Sequence, residues 1–346
     1  MLQLGCAGPR LRTGLAAPGR ATPHRLDMIL ASVVIPTHNR RVLLQRLLRS
    51  LAAQTLPSDQ FEVLIVHNHT ADGTEEMARE WCAQQPFKAR YFPKNYNGPT
   101  RSREFGARSA EGRYVVFIDD DCIATPDWLA QGIAAFDAKS DAPIGLVQGM
   151  TTPMPDQPQR FPFKTINIVE PTVFFETCNI FYRKEAFEKV GGFSEDFLDR
   201  FYGEDTDLGW KVTQGGYAAG FAPGALAHHE VFQVTFKQWL AEPLHFKNLP
   251  YLVKKYPALR ERMFAHYFLT RDTCFFNLLW LAVLLSPLSA WAGLLALPYF
   301  IERLRGGSHV GGWKLRILRV IAGLPRNLFM WWALLRGSLR ARTVLL

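Results

Sequence analysis

Three consecutive carboxylates, Asp119, Asp120 and Asp121, close a short apolar run, Tyr114-Val115-Val116-Phe117-Ile118. Hard cations take oxygen ligands, and Mg²⁺ characteristically shares one or two carboxylates with substrate phosphates. In open α/β sheets the ligand crevice lies beyond the strands' C-terminal ends, where this triplet falls. A solvated turn after a buried strand accounts equally well for the triplet taken alone. A second acidic group, Glu204 and Asp205, sits within Phe201-Tyr202-Gly203-Glu204-Asp205-Thr206-Asp207-Leu208-Gly209-Trp210. Stabilisation of a helix N-terminus is one role open to such carboxylates, and Asp207 reads as doing only that.

The elements that position these groups alternate between strand and helix. From Ile29 to Gly149, short β-branched runs and helical stretches succeed one another, which predicts a mostly parallel α/β sheet. Strands are expected at Leu30–Ile35, Phe61–Val66, Arg90–Phe92, Tyr114–Ile118, Cys178–Tyr182 and Tyr217–Phe221. Helices are expected after Asn39 as N-cap, over Thr74–Cys82, from Gly98-Pro99 to Ala110, from Thr125-Pro126 through Phe136, and over Lys184–Val190. Prolines 153, 155, 158, 162 and 171 predict a long binding loop or lid between Thr151 and Thr172.

A chain of 346 residues accommodates a catalytic domain and an appendage. Its five cysteines show no C-x-x-C pair and no zinc spacing, which fits reduced thiols. The net charge of +9 is concentrated around Arg10–Arg25 and Arg303–Arg342. Those basic residues flank apolar segments, so they read as contacts to a membrane surface and not to nucleic acid. Residues 1–27, rich in Gly, Pro, Ala and Arg, read as a disordered tail, with Met28 a second candidate start. Residues 28–240 form the catalytic domain in this reading, and 241–346 a helical membrane-associated region.

From Thr273 to Ile301 there is no charged residue, a length that could cross a bilayer. A single crossing would put Arg303, Arg305, Lys314, Arg316 and Arg319 on the far side, against the positive-inside tendency. A re-entrant hairpin turning at Ser286-Pro287 avoids that conflict. Val320–Leu335 reads as an interfacial amphipathic segment.

Taken in order, six motifs resemble family 2 glycosyltransferases over Ile29 to Ala227. They are Ser32-Val33-Val34-Ile35-Pro36-Thr37-His38-Asn39-Arg40, Ala71-Asp72-Gly73-Thr74, Gly98-Pro99 with Arg103, Phe117 to Asp121, Val190-Gly191-Gly192-Phe193 and Gly203 to Leu208. The resemblance implies a GT-A fold, Rossmann-like, with a nucleotide-diphosphate sugar donor, Mg²⁺ or Mn²⁺, and inversion at the anomeric carbon. It implies Asp121 as the metal ligand and Asp119 at the ribose or a bridging water. Asp120 takes the variable middle position on the nucleotide side and reads as solvated. It implies Asp205 as the base, with Glu204 as competitor or orienting group. Pro36, Thr37, Asn39 and Arg40 fall where base and ribose rest in that fold. Arg103 is a candidate diphosphate contact, a surface helix arginine being the alternative. His228 and His229 follow the last strand, where some such enzymes complete the metal shell.

The chain departs from the family at the end of the second strand. His67-Asn68-His69-Thr70 stands where an aspartate often recognises the nucleobase, so His67 and Asn68 are left as candidates for a base edge. The processive Gln-x-x-Arg-Trp signature is absent, which implies addition of one sugar. The expected acceptor is a membrane-linked saccharide, a glycolipid or a cell-envelope polysaccharide, met at the cytoplasmic face, of the inner membrane if bacterial. A nucleotide-sugar-binding or scaffolding protein without catalysis is the alternative.

Overall fold

The computed structural model describes residues 29–68, 70–198, 202–305 and 313–346, with side chains omitted at 313–316, 318 and 319. The expected tail, the candidate start at Met28, and the side chains of His69, Phe201, Lys314, Arg316 and Arg319 lie outside the described residues.

Eight strands form one sheet, and its order positions the site. In chain order the elements are β1 (Ala31–Thr37), α1 (Arg41–Ala52), β2 (Phe61–Asn68), α2 (Thr74–Gln84), β3 (Lys88–Lys94), α3 (Pro99–Ser109), β4 (Tyr114–Ile118), β5 (Cys122–Ala124) and α4 (Trp128–Ala134). There follow β6 (Ile144–Pro153), β7 (Phe163–Lys164), β8 (Asn179–Arg183), α5 (Lys184–Lys189), α6 (Glu195–Leu198), α7 (Glu204–Gln214), β9 (Ala218–His229) and β10 (Phe232–Gln233). The C-terminal layer comprises α8 (Phe236–Ala241), α9 (Leu249–Lys255), α10 (Arg271–Leu285), α11 (Leu297–Arg305) and α12 (Trp313–Ala341).

The strand order is β3-β2-β1-β4-β8-β6-β9-β5, and β7 pairs separately with β10. β3, β2, β1 and β4 run parallel, whereas β8 is antiparallel to both its neighbours. The sheet is therefore mixed, and only its first half has the parallel arrangement expected from alternation. β1 and β2 are buried along their whole length, as strands covered on both faces must be. One face packs α1, α2 and α4 through Leu44, Leu47, Ala78 and Trp128; the other packs α3, α5 and α7 through Ala107, Phe187 and Leu208.

Several expected boundaries shift for physical reasons. Arg40, not Asn39, is the N-cap of α1, and Asn39 itself adopts a left-handed backbone with φ 53°. Thr125 does not cap α4 because its hydroxyl donates to the Leu226 carbonyl; Asp127 takes the position. β9 runs through Ala222-Pro223-Gly224 as one strand. Its register against β6 slips between Gly149 and Thr151, which releases Pro223 from a ladder position it could not fill. The 151–172 segment is irregular but pinned, with Thr151 and Ile168 exchanging backbone hydrogen bonds and Phe163–Lys164 paired to β10.

The uncharged run is not one helix. α10 stops at Leu285, a turn contains Ser286 and Pro287, a 3₁₀ segment covers Ala290–Ala296, and α11 follows. Among the described residues no helix is long and apolar enough to cross a membrane. The segment 320–335 belongs to the 29-residue α12, whose Leu334 packs with Phe197, Leu249, Leu252, Val253 and Tyr256. The C-terminal layer is thus seated on α6 and on the face of α7.

Candidate active site

The register of the strands determines which carboxylate faces which partner. β4 lies beside β1, so the residues leaving both strands meet. Thr37 donates to Asp120 Oδ2 at 2.7 Å, and Arg40 Nη1 donates to Asp120 Oδ1 at 2.9 Å and to Asp121 Oδ2 at 2.7 Å. Asp120 is consequently buried and doubly bonded, which corrects the expectation of a solvated middle residue. Burial pushes its carboxyl up to about 7 against the opposing pull of Arg40. Asp119 points to the other side, where Arg103 Nη2 donates to its Oδ1 at 2.6 Å.

The last strand decides between the two histidines. Cys122 pairs with His229 and Ile123 with His228, so successive residues of β9 point to opposite faces. His228 turns away to Thr152, 2.9 Å from its Nδ1, and is not in the cleft. His229 turns inward. Its Nδ1 lies 2.8 Å from the Glu230 carbonyl, which can only accept, so that nitrogen carries the hydrogen and in the neutral ring Nε2 is the acceptor. Nε2 faces Asp121 Oδ1 across 3.5 Å, and that oxygen is buried without a hydrogen-bond partner. Two acceptors turned toward one another over that gap suit a divalent cation, with Asp119 nearby. Among the described residues no complete shell of three such side chains is preformed.

Gly203, at φ 110°, delivers α7 in a backbone conformation other residues resist, and a Cβ there would come within 2.9 Å of the Phe197 ring. Glu204 and Asp205 therefore begin the helix inside the cleft. Asp205 accepts from Thr177 twice, from its N–H at Oδ2 and its hydroxyl at Oδ1, each 3.0 Å. Burial pushes Asp205 up to about 6, while Arg103 and the Thr177 bonds pull it back. Glu204 rises further, to about 8, through burial and the neighbouring Asp205 charge. Arg103 Nη1 stands 3.8 Å from Glu204, so one guanidinium reaches from the strand-end carboxylates to the helix-start pair. Burial lowers Arg103's proton affinity, but Asp119, Asp205 and Glu204 outweigh it and keep it charged. It is a buried crosslink and not the surface helix arginine of the alternative reading. Asp207, fully buried, accepts from Ser194, Lys255 and Tyr256.

A cleft of about 1170 Å³ joins these groups. Pro36, Thr37, Arg40, Asn68, Arg103, Asp119, Asp120, Asp121, Glu204, Asp205 and His229 line it. Asn39 and His67 do not. The His67 ring is buried with Nδ1 2.7 Å from the Tyr91 hydroxyl and Nε2 3.0 Å from Thr70 Oγ1, because the register sets β3 beside it. The Asn68 amide oxygen accepts from the Tyr96 N–H and from Ser102, each at 3.2 Å. Sequence reasoning missed His38, Tyr96, Thr172, Glu176, Thr177 and the wall supplied by Gln238, Glu242, His245 and Phe246. His38 sat within a quoted motif; the others carry no local signal.

Residues 32–191 match the family profile described as glycosyl transferase family 2, and residues 114–335 match that of glycosyl transferase family group 2. Over 203 residues the chain is 26% identical to glycosyltransferase AglE of Haloferax volcanii, covering 57% of this chain and 66% of that protein. The chain spans about 60–66% of the length of the first curated relatives it matches. The mannosyltransferase PcManGT from Pyrobaculum calidifontis, solved with GDP-Man and Mn²⁺, superposes with a TM-score of 0.57 at 18% identity, over 90% of this chain and 86% of that one. S. aureus TarS 1-349, solved with UDP-GlcNAc, superposes with a TM-score of 0.50 at 15% identity, over 91% and 92% of the two chains. At these identities the structural likeness establishes a shared fold.

Proposed function

Because the chain belongs to glycosyl transferase family 2 and is a glycosyltransferase of GT-A-like fold, we propose that it transfers a single sugar, with inversion, from a nucleotide-diphosphate sugar to a membrane-linked or cell-envelope saccharide. One observation carries this reading. The strand-end carboxylates and the Glu204-Asp205 pair line the same cleft and are bridged by Arg103. The donor's diphosphate belongs at the first group and the acceptor hydroxyl at the second.

In this mechanism Asp205, ionised at neutral pH, takes the proton of the acceptor hydroxyl. The hydroxyl oxygen bonds to the anomeric carbon as that carbon's bond to the diphosphate breaks, and the nucleoside diphosphate leaves. Thr177 holds Asp205 in one orientation for this attack. Glu204, whose raised proton affinity keeps it protonated, donates a hydrogen bond that orients the acceptor. Asp121, Asp119 and His229 would hold Mg²⁺ or Mn²⁺, which when bound neutralises charge on the leaving diphosphate. Arg103 stays paired with Asp119 and faces the same oxygens. With His67 turned to Tyr91, base recognition falls to Asn68 and the 96–98 backbone; the superposed enzymes hold a guanine donor in one case and a uracil donor in the other. The acceptor side is walled by the C-terminal layer, which supports an acceptor presented at a membrane surface.

The test is a donor panel. The purified protein is expected to release nucleoside diphosphate from one nucleotide sugar only with Mg²⁺ or Mn²⁺, and Asp205→Asn to lower that release by about 10²–10⁴-fold. Binding of a donor with no turnover, unaltered by Asp205→Asn, would establish the non-catalytic alternative instead.

A further inference from the structure

The base of the C-terminal hairpin is stitched to the rest of the molecule by polar contacts. Trp331 of α12 donates to Asn277 of α10 at 3.0 Å, Arg303 donates to Asn327 at 2.7 Å, and Asn327 donates to the Tyr299 hydroxyl at 3.0 Å. Its tip has the opposite character. Residues 286–291 are all exposed, and the large apolar side chains there are nearly bare: Leu288 at 82%, Trp291 at 80% and, just before them, Leu284 at 69%. A flat association face would leave one side of such a segment bare and the other packed. Here consecutive residues are bare whichever way they point, so the tip protrudes.

We infer that this tip inserts into one leaflet of an anionic lipid bilayer, with Leu284, Leu288 and Trp291 below the headgroups and the hairpin base at the surface. Length excludes a crossing. The 15 residues of α10 rise about 22 Å, short of the roughly 30 Å hydrocarbon core. Charge selects the lipid: the sequence from 303 to 319 carries five arginines and lysines and no acidic residue, and while Arg303 is held by Asn327 and Asp272, Arg305 is exposed at the end of α11. A basic segment immediately following an apolar insertion is the arrangement that anionic headgroups attract. Shallow insertion of an apolar surface with such a flank reaches about 5–10 Å into the boundary region.

The insertion also orients the cleft. α12, to which the hairpin is stitched, carries Arg326, which donates to Glu242 at 2.5 Å and to the Trp239 carbonyl; Glu242 lines the cleft. One hydrogen-bonded layer therefore joins the lipid-facing tip to the acceptor wall, which turns the cleft toward an acceptor anchored in the same leaflet. The inference deepens the membrane part of the proposed function and rests on it only for the acceptor, since vesicle binding is read without turnover.

The test is flotation of the full chain with vesicles of phosphatidylethanolamine and phosphatidylglycerol. The wild type is expected to float, and the double variant Leu288→Glu, Trp291→Glu to partition at least about tenfold more weakly. Val42→Glu, a similarly exposed apolar position on α1, is expected to float like the wild type. Neutral phosphatidylcholine vesicles are expected to hold the protein more weakly. The inference falls if the wild type stays with the soluble fraction, if the double variant floats equally well, or if Val42→Glu loses flotation to the same degree. Equal binding to neutral vesicles overturns the choice of anionic lipid. Conversion of a dimer to a monomer by the double variant, with flotation unchanged, makes the tip a self-association face. Failure to float leaves nucleotide release untouched, so the two readings fail separately.

Discussion

The carboxylates after β4 and those at the start of α7 share one cleft but live in different electrostatic company. After β4 every carboxylate touches a guanidinium within 2.9 Å: Arg40 holds Asp120 and Asp121, and Arg103 holds Asp119. At α7, Asp205 receives only neutral donors from Thr177, and Glu204 meets Arg103 no nearer than 3.8 Å. The guanidiniums favour the ionised form after β4, yet burial still raises Asp120 to about 7 and pushes Asp121 upward, so pairing offsets desolvation there without cancelling it. Asp205, buried on the neutral Thr177 donors with Arg103 acting at longer range, is raised to about 6, where it can take up a proton and release it near neutrality. In the proposed mechanism the same side-chain type thus serves as a metal ligand after β4 and as a base at α7.

Removing the base should break this comparison most severely. Asp205→Asn is expected to lower transfer by about 10²–10⁴-fold while nucleotide affinity holds, as measured by nucleoside diphosphate release beside calorimetric binding of the nucleotide. On the ligand side, Asp121→Asn should weaken Mn²⁺ binding by more than the roughly 10–100-fold that loss of an outer-shell partner costs. Titration of Mn²⁺ by electron paramagnetic resonance checks this, and an unchanged affinity would remove Asp121 from the metal site.

A subtler change sharpens the contrast. Since the Asp205 carboxyl is raised to about 6, kcat/KM should decline as pH falls through that value and the base takes up a proton. Thr177→Val removes a hydroxyl that favours the charged form. The acid limb should then move to higher pH and activity near neutrality drop by about tenfold, with Thr177→Ser restoring both. A limb that stays in place would show that Thr177 is only structural. The smallest effect belongs to the histidine that faces away: His228→Ala should alter Mn²⁺ affinity by less than about twofold. His229→Ala, measured alongside it, should weaken binding clearly.

Legibility in the sequence followed locality. β4 was readable to the residue because a β-branched run ends abruptly in charge, and the Gly203-Glu204-Asp205 motif was readable as a helix start. Asp120 was misjudged as solvated because nothing local reveals that Thr37 and Arg40 leave the neighbouring strand beside it. His67 was a reasonable base contact until β3 placed Tyr91 against it. Thr177 carries no signal of its own; it matters because β8 pairs antiparallel to β4 and brings the segment leading into it to the foot of α7. The uncharged run was long enough to cross a bilayer on paper, and the break at Pro287 that the sequence marked divides it in the structure.

By itself the sequence determined the alternation of strand and helix, the order of the motifs and the chemical types available for the site, because these depend on side-chain period and local backbone preference. Only the tertiary structure decided which of His228 and His229 faces Asp121, which carboxylates are paired with cations, and that the C-terminal layer walls the cleft. Those outcomes follow from strand register and from burial, where one residue of offset turns a side chain to the opposite face and a few ångströms separate an ion pair from a neutral hydrogen bond.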